Sequence, residues 1–248
     1  MKLVKKTVEE WLNSISYDVD PNYVPSEFAL EFVSFIKLVN GERGEENKTP
    51  VIHYKMLDNI TGKTQNTVNM CSRGLAKTTI LSEYLILYLA VYGSIPGFGN
   101  VDYGLYVSDS IENGVKKMRY RLERRCTYSE FLKTYLHSFR FTDIRWYFKN
   151  KQGKEMVITG HGAKTGVRGT VELNTRPQLA MLDDLISDAM AESDIEMSKV
   201  EKVIKRGVQP ALNPLIELVL DGDSSSSKEI LYVNKPCVLQ VKPEIYLG

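Results

Sequence analysis

Lys77, Arg168, Asp183 and Asp184 are far apart in the chain, yet their types and settings fit one task, chemistry on a phosphate. Lys77 lies in the run Cys71-Ser72-Arg73-Gly74-Leu75-Ala76-Lys77-Thr78-Thr79, after a strand-like stretch, Thr67 to Met70, and before the most apolar helix expected, Thr79 to Tyr92. A strand, a tight basic loop and a helix opening on Lys-Thr aim backbone N–H groups and a helix N-terminus at a polyphosphate. In such a loop Lys77 reaches the β- and γ-phosphates and the Thr78 hydroxyl binds Mg²⁺. The match to G-x-x-x-x-G-K-[ST] is imperfect, because Cys71 and Ala76 stand at the two glycine positions. The plain alternative is a basic turn in front of a buried helix.

Asp183 and Asp184 end an apolar run, Gln178 to Leu182. Adjacent carboxylates are costly at the end of a hydrophobic strand unless a cation offsets them. With a phosphate loop in the same sheet, Asp183 is expected to hold Mg²⁺ through water, and Asp184 to orient or deprotonate an attacking water. The competing reading is that the two acids cap the following segment. Arg168 lies in a glycine-rich basic stretch, Gly160 to Gly169, from which it could pair with developing phosphate charge. An arginine in that role is worth roughly three to five powers of ten in rate.

The surrounding pattern supplies elements to carry these residues. Helices are expected at 7–17 and at Phe28 to Val39, where Phe28, Phe32, Phe35, Ile36 and Val39 recur at helical spacing. Pro50 to Leu57 reads as extended or a short helix. Tyr103 to Asp109 reads as a buried strand, followed by a Ser110-capped helix with Ile111, Val115, Met118 and Leu122 inward. Its other faces carry Lys116, Lys117, Arg119, Arg121, Arg124 and Arg125, either a nucleic-acid backbone contact or a solvated face. Phe139 to Phe148 and Glu155 to Thr159 read as a hairpin around Asn150-Lys151-Gln152-Gly153. A helix is expected from Asp194 to Arg206, with Ile195, Val200, Val203 and Ile204 inward, ended by Gly207 and Pro210. Strands are expected at Leu215 to Leu220 and near Cys237 to Val241. Strands alternating with helices imply an α/β fold with a mostly parallel central sheet flanked by helices. Ligands of such sheets bind at the strand C-terminal ends, where both the loop and the two acids fall.

Composition limits the classes. The 248 residues are 43% apolar and 25% charged, as in soluble globular proteins. A net charge of +1 gives no broad nucleic-acid footprint, so any such contact must be local. Three Cys and three His without ligand spacing suggest a reduced, cytosolic protein lacking a zinc site. The N-terminus lacks a secretory core, and Ile80 to Tyr92 is too short and interrupted to span a bilayer.

The segment Arg73 to Thr79 resembles the Walker A motif of tailed-bacteriophage terminase large subunits, whose loop is likewise degenerate and basic. Val107-Ser108-Asp109, Val167-Arg168-Gly169 and Leu179 to Asp184 follow in the order and rough spacing of that ATPase domain. The resemblance spans roughly residues 25–220. It implies a RecA-like P-loop NTPase of the additional-strand type, with residues 1–60 as a helical segment packed on an ATPase core at 61–248. It also implies Mg²⁺-dependent ATP hydrolysis that drives double-stranded DNA into a procapsid in the host cytoplasm. Partners implied are a homo-oligomeric ring, a portal protein and a small terminase subunit, with no membrane. Carried over by position, Arg73, Gly74, Leu75, Ala76, Lys77, Thr78 and Thr79 bind nucleotide, and Thr78 and Asp183 hold Mg²⁺. Lys77, Asp184 and Arg168 are then catalytic, Arg168 acting across to a neighbouring subunit. The family's coupling motif has an uncertain match in Asp221-Gly222-Asp223-Ser224, and its RNase H-like nuclease is expected to be absent from this chain. Alternatives are another RecA-like NTPase such as a helicase, or a non-hydrolysing DNA- or procapsid-binding protein.

Overall fold

The computed structural model describes residues 22–45, 49–61, 66–70, 74–163, 171–185, 193–212 and 237–241. The expected helix at 7–17, the strand at 215–220, residues Cys71 to Arg73, the Arg168 loop and Asp221 to Ser224 lie outside them. The described chain is a mixed α/β fold built on a mixed sheet with helices on its faces.

Helix α1, Glu27–Asn40, starts where the Ser26 hydroxyl accepts from the Ala29 N–H. It buries Phe28, Phe32, Phe35 and Val39, the aromatic stripe expected. A 3₁₀ turn, Gly41–Glu45, follows it, and α2, Val51–Ile60, comes after Pro50. Strand β1 is Asn66–Met70. The helix after the Lys77 loop begins with a π-helical stretch, Thr79–Tyr84, and continues as α3, Leu85–Tyr92. It is buried from Ile80 to Val91, and Gly93 ends it in the left-handed region at φ 77°.

A small antiparallel ribbon, β2 (Ser94–Ile95) with β3 (Gly99–Asn100), follows this helix. Strand β4, Tyr103–Ser108, is buried throughout. A π turn, Ile111–Val115, capped by Ser110, leads into α4, Lys116–Tyr128, and α5 spans Glu130–Tyr135. Three strands then form a meander: β5 (Leu136–Phe141), β6 (Arg145–Asn150) and β7 (Glu155–Gly162). The expected single strand from Phe139 to Phe148 is thus two, folded back where the Thr142 N–H donates to the Arg145 carbonyl at 2.9 Å. Strand β8 is Leu179–Asp183. Helix α6, Asp194–Val203, runs through a π turn, Ile204–Val208, into the short α7, Gln209–Ala211. The helical path therefore passes Gly207 and Pro210, where an end was expected. Ile195 is 71% exposed rather than inward, while Val200 is buried. Strand β9 is Cys237–Val241, as expected.

The sheet order is β1-β9-β8-β4-β7-β6-β5, with β1, β9, β8, β4 and β7 parallel and with β6 antiparallel to both β7 and β5. Alternation divides the core. Tyr106, Leu179 and Met181 point to the face covered by α1, α2, α3 and α4. Leu105, Val107, Ala180 and Leu182 point to the face covered by α6. This parity decides where the site forms, since Asp183 shares its face with Met181 and so faces the helix that the loop opens.

Candidate functional site

The residues of the candidate loop and the two acids, placed separately by sequence, meet. The Thr78 Oγ1 hydroxyl donates to Asp183 Oδ1 at 2.8 Å, joining residues 105 apart in the chain. Lys77 Nζ lies 3.4 Å from Asp184 Oδ1. Both strands that end here, β1 and β8, run in parallel with β9 between them, so their C-terminal ends open on one edge of the sheet.

Backbone geometry shows what one of the loop's departures from the standard pattern costs. Gly74 has φ 88° and Ala76 has φ 54°, both left-handed. Ala76 therefore adopts the conformation that the glycine of the standard pattern takes freely, at a strain of roughly 1 kcal/mol. The Ile80 N–H donates to the Ala76 carbonyl at 2.9 Å, so Ala76 also starts the helix that carries Lys77 and Thr78. His53 on α2 reaches the loop from outside, with Nε2 3.1 Å from the Leu75 carbonyl. Burial lowers the His53 pKa, which keeps its ring neutral and suits an Nε2–H donor to that carbonyl.

Asp183 is only 3% exposed, and both its oxygens are used. Oδ1 accepts from Thr78, and Oδ2 accepts from the Tyr106 hydroxyl at 2.9 Å. Tyr106 comes from β4, where it pairs in register with Met181, two residues before Asp183. Burial pushes the Asp183 pKa up, and the neighbouring Asp184 charge adds to that, while the Thr78 and Tyr106 hydrogen bonds and Lys77 oppose it. Burial also raises the Tyr106 phenol, with the Asp183 charge and hydrogen bond adding to the effect, so the phenol stays a donor.

Asp184 would face away from the loop if β8 continued straight. Its φ of 45° turns the chain and brings its carboxylate back to Lys77. Asp184 Oδ1 is shielded from solvent and makes no hydrogen bond; among the described residues Lys77 is its ion-pair partner, while the side chain as a whole is 41% exposed. A left-handed non-glycine residue with an incompletely satisfied carboxylate is a strained arrangement of the type found at functional sites.

The donor set suits Mg²⁺ held together with a nucleotide. A hydroxyl that donates its hydrogen to a carboxylate keeps its lone pairs for a cation, and Mg²⁺ typically takes one or two protein oxygens plus phosphates. No group of three or more His, Cys, Asp or Glu able to hold a metal alone occurs among the described residues. The buried, destabilised Asp183 charge is what a cation would relieve.

Gly74 to Thr79, Asp183 and Asp184 are thus gathered at one sheet edge. Arg73 and Arg168 lie outside the described residues. Sequence reasoning missed Tyr106 and His53. Tyr106 carried one signal, a polar atom at an inward position of an apolar strand; His53 carried none. The basic helix divides: Lys116 pairs with Glu112 and Asp143, Arg119 with Glu123, and Arg125 with Glu83. No protein-family model matches the chain, and no curated protein matches it. Among the described residues, no helix is long and apolar enough to cross a membrane.

Proposed function

We propose that this chain is a Mg²⁺-dependent ATPase of the P-loop type. The observation that carries the reading is the Thr78–Asp183 hydrogen bond, which unites the loop hydroxyl and the strand-end acid on one face of the sheet. The sheet order supports a RecA-like core of the additional-strand type, because β9 separates the strand before the loop from the strand ending in Asp183.

In this reading Gly74, Leu75, Ala76 and Thr79 hold the nucleotide together with Arg73. Thr78 and Asp183 hold Mg²⁺, which when bound offsets charge on the phosphate oxygens. Phosphate competes with Asp184 for Lys77, so nucleotide entry releases Asp184 to orient water and accept its proton. The water oxygen bonds to the γ-phosphorus, the bond to the β,γ-bridging oxygen breaks, and ADP and phosphate leave. Tyr106 positions Asp183 from behind, and Arg168 stabilises the transferring phosphoryl of a neighbouring subunit.

By resemblance to terminase large subunits, hydrolysis drives double-stranded DNA into a procapsid. The motor is a homo-oligomeric ring on a portal protein, with a small terminase subunit, in the host cytoplasm. The test is Mg²⁺-dependent phosphate release from ATP by the purified chain. Lys77→Ala is expected to lower turnover by about 10²–10³-fold, the usual loss on removing one charge-stabilising group. Undiminished turnover in that variant overturns the loop assignment.

A further inference from the structure

A second concave feature lies beside the loop helix. It is a cleft of about 560 Å³ between the end of α1, the Thr79–Tyr84 π turn and the C-terminal half of α4. Its size is in the range of small-ligand sites. Arg43, Arg121, Arg124 and Arg125 line it, with Glu83 as the lining carboxylate. Four arginines against one glutamate leave a local charge of +3, in a chain whose net charge is +1.

The charges are not self-compensated. Arg125 Nε bonds Glu83 Oε1 at 2.7 Å, its guanidinium also bonds Asn40, and it stacks over the Tyr84 ring at 4.9 Å. Arg125 is therefore fixed in the wall, and it neutralises Glu83. Among the described residues Arg43, Arg121 and Arg124 form no ion pair, although Lys116 and Arg119 on the same helix do. Like charges gathered in a concavity repel one another and concentrate field on whatever anion enters. Planar guanidinium forks match phosphate oxygens two at a time. Arg121, Arg124 and Tyr128 recur at three- and four-residue steps, so they share one face of α4. Tyr128 lines the cleft with 74% of its surface exposed, an open ring on which a base can stack.

We propose that this cleft binds the phosphate of a nucleotide, with Arg43, Arg121 and Arg124 on the phosphate oxygens and Tyr128 under the base. The nucleotide is either free or one unit of a nucleic-acid strand. The site is additional to the Lys77 loop, which among the described residues it meets through Thr79, and it stands whether or not that loop hydrolyses ATP.

The test uses the full chain and two probes, a labelled single-stranded oligonucleotide and a fluorescent ATP analogue. Fluorescence anisotropy is followed across a salt series. The Arg121→Glu/Arg124→Glu double variant is expected to weaken oligonucleotide binding about tenfold or more and to reduce the salt slope by about 1.4, some 0.7 for each phosphate no longer neutralised. If the ligand is instead a free nucleotide, a binding phase of the ATP analogue that survives Lys77→Ala disappears in the double variant. Arg43→Glu, on a different element, should reproduce either loss, with an unchanged thermal unfolding midpoint as the folding control. Tyr128→Ala should weaken the same probe without altering its salt slope. Wild-type affinity for both probes in the double variant, or sensitivity to Lys77→Ala alone, overturns the proposal. Failure of the loop reading looks different: Lys77→Ala then leaves nucleotide binding and turnover unchanged.

Discussion

Asp183 is held by Thr78 on one oxygen and Tyr106 on the other, in a setting that disfavours its charge. Its folded pKa stands above the ordinary value of 3.8, chiefly through burial. The folded state therefore binds the proton more tightly than the unfolded state. The carboxyl's contribution to stability is fully present below pH 3.8 and is lost as pH rises through the raised folded value. Asp183→Asn removes this titration and keeps the shape. In metal-free buffer the variant is expected to melt above the wild type at pH 8, with the gap closing as pH falls toward 4. Thermal unfolding across that range checks it, and a variant less stable at every pH would show that the ionised carboxylate is a net support. Under the proposed function, the same variant should hydrolyse ATP about a hundredfold more slowly or worse, since it removes a proposed Mg²⁺ ligand.

At the scale of elements, the loop helix is fastened to its neighbours by a charge placed on its buried side. Glu83 has a side chain only 5% exposed, and Arg125 from α4 is its ion-pair partner. Arg125 ties in α1 as well, through Asn40, which also accepts from the Tyr84 hydroxyl at 2.9 Å. Removing one member of such a pair strands the other charge, at a cost of about 3 kcal/mol. Arg125→Ala is expected to lose that much in chemical denaturation, whereas Lys117→Ala on the exposed face of α4 should change little. Equal small effects would mean that water reaches Glu83 easily. Helix spacing made the apolar face of α4 legible, because Val115, Met118 and Leu122 are buried as their periodicity requires. The partners of its cations were not legible, since Glu83 and Asn40 arrive from elements distant in sequence. Of the antiparallel meander, the β6–β7 hairpin was legible from its Asn150–Gly153 turn, but the fold-back between β5 and β6 was hidden, because the Thr142 turn has no Gly or Pro to mark it.

At the scale of the whole molecule, the proposed nucleotide site and the core lie on opposite sides of the same residues. The loop helix is buried against both helices and sheet, and its first turn reaches the sheet edge where Asp183 ends β8. A nucleotide bound there links the loop to β8 and stabilises only the folded chain. At a hundredfold excess over Kd the gain is about 2.7 kcal/mol. For a chain of this length that corresponds to a rise in Tm of roughly 5–10 °C. MgATP is expected to produce such a shift in the wild type, and Lys77→Ala is expected to remove the share that comes from the loop. Any remainder in that variant should disappear on adding Arg121→Glu/Arg124→Glu, and an undiminished shift in Lys77→Ala would mean that the stabilising nucleotide sits away from the loop.

By itself the sequence determined the strand-loop-helix unit around Lys77, the buried strands β4 and β8, the acids that end β8, and the aromatic face of α1. Each rests on local rules: the 3.6-residue helical period, strand alternation, and the cost of carboxylates at the end of an apolar run. Only the tertiary structure decided that Asp183 meets Thr78, that Tyr106 completes its cradle, that His53 holds the loop, and that Arg43 joins Arg121 and Arg124 in one cleft. Those pairings depend on strand order and on which face each strand turns to the helices. Both follow from packing the entire chain, and no window of neighbouring residues contains them.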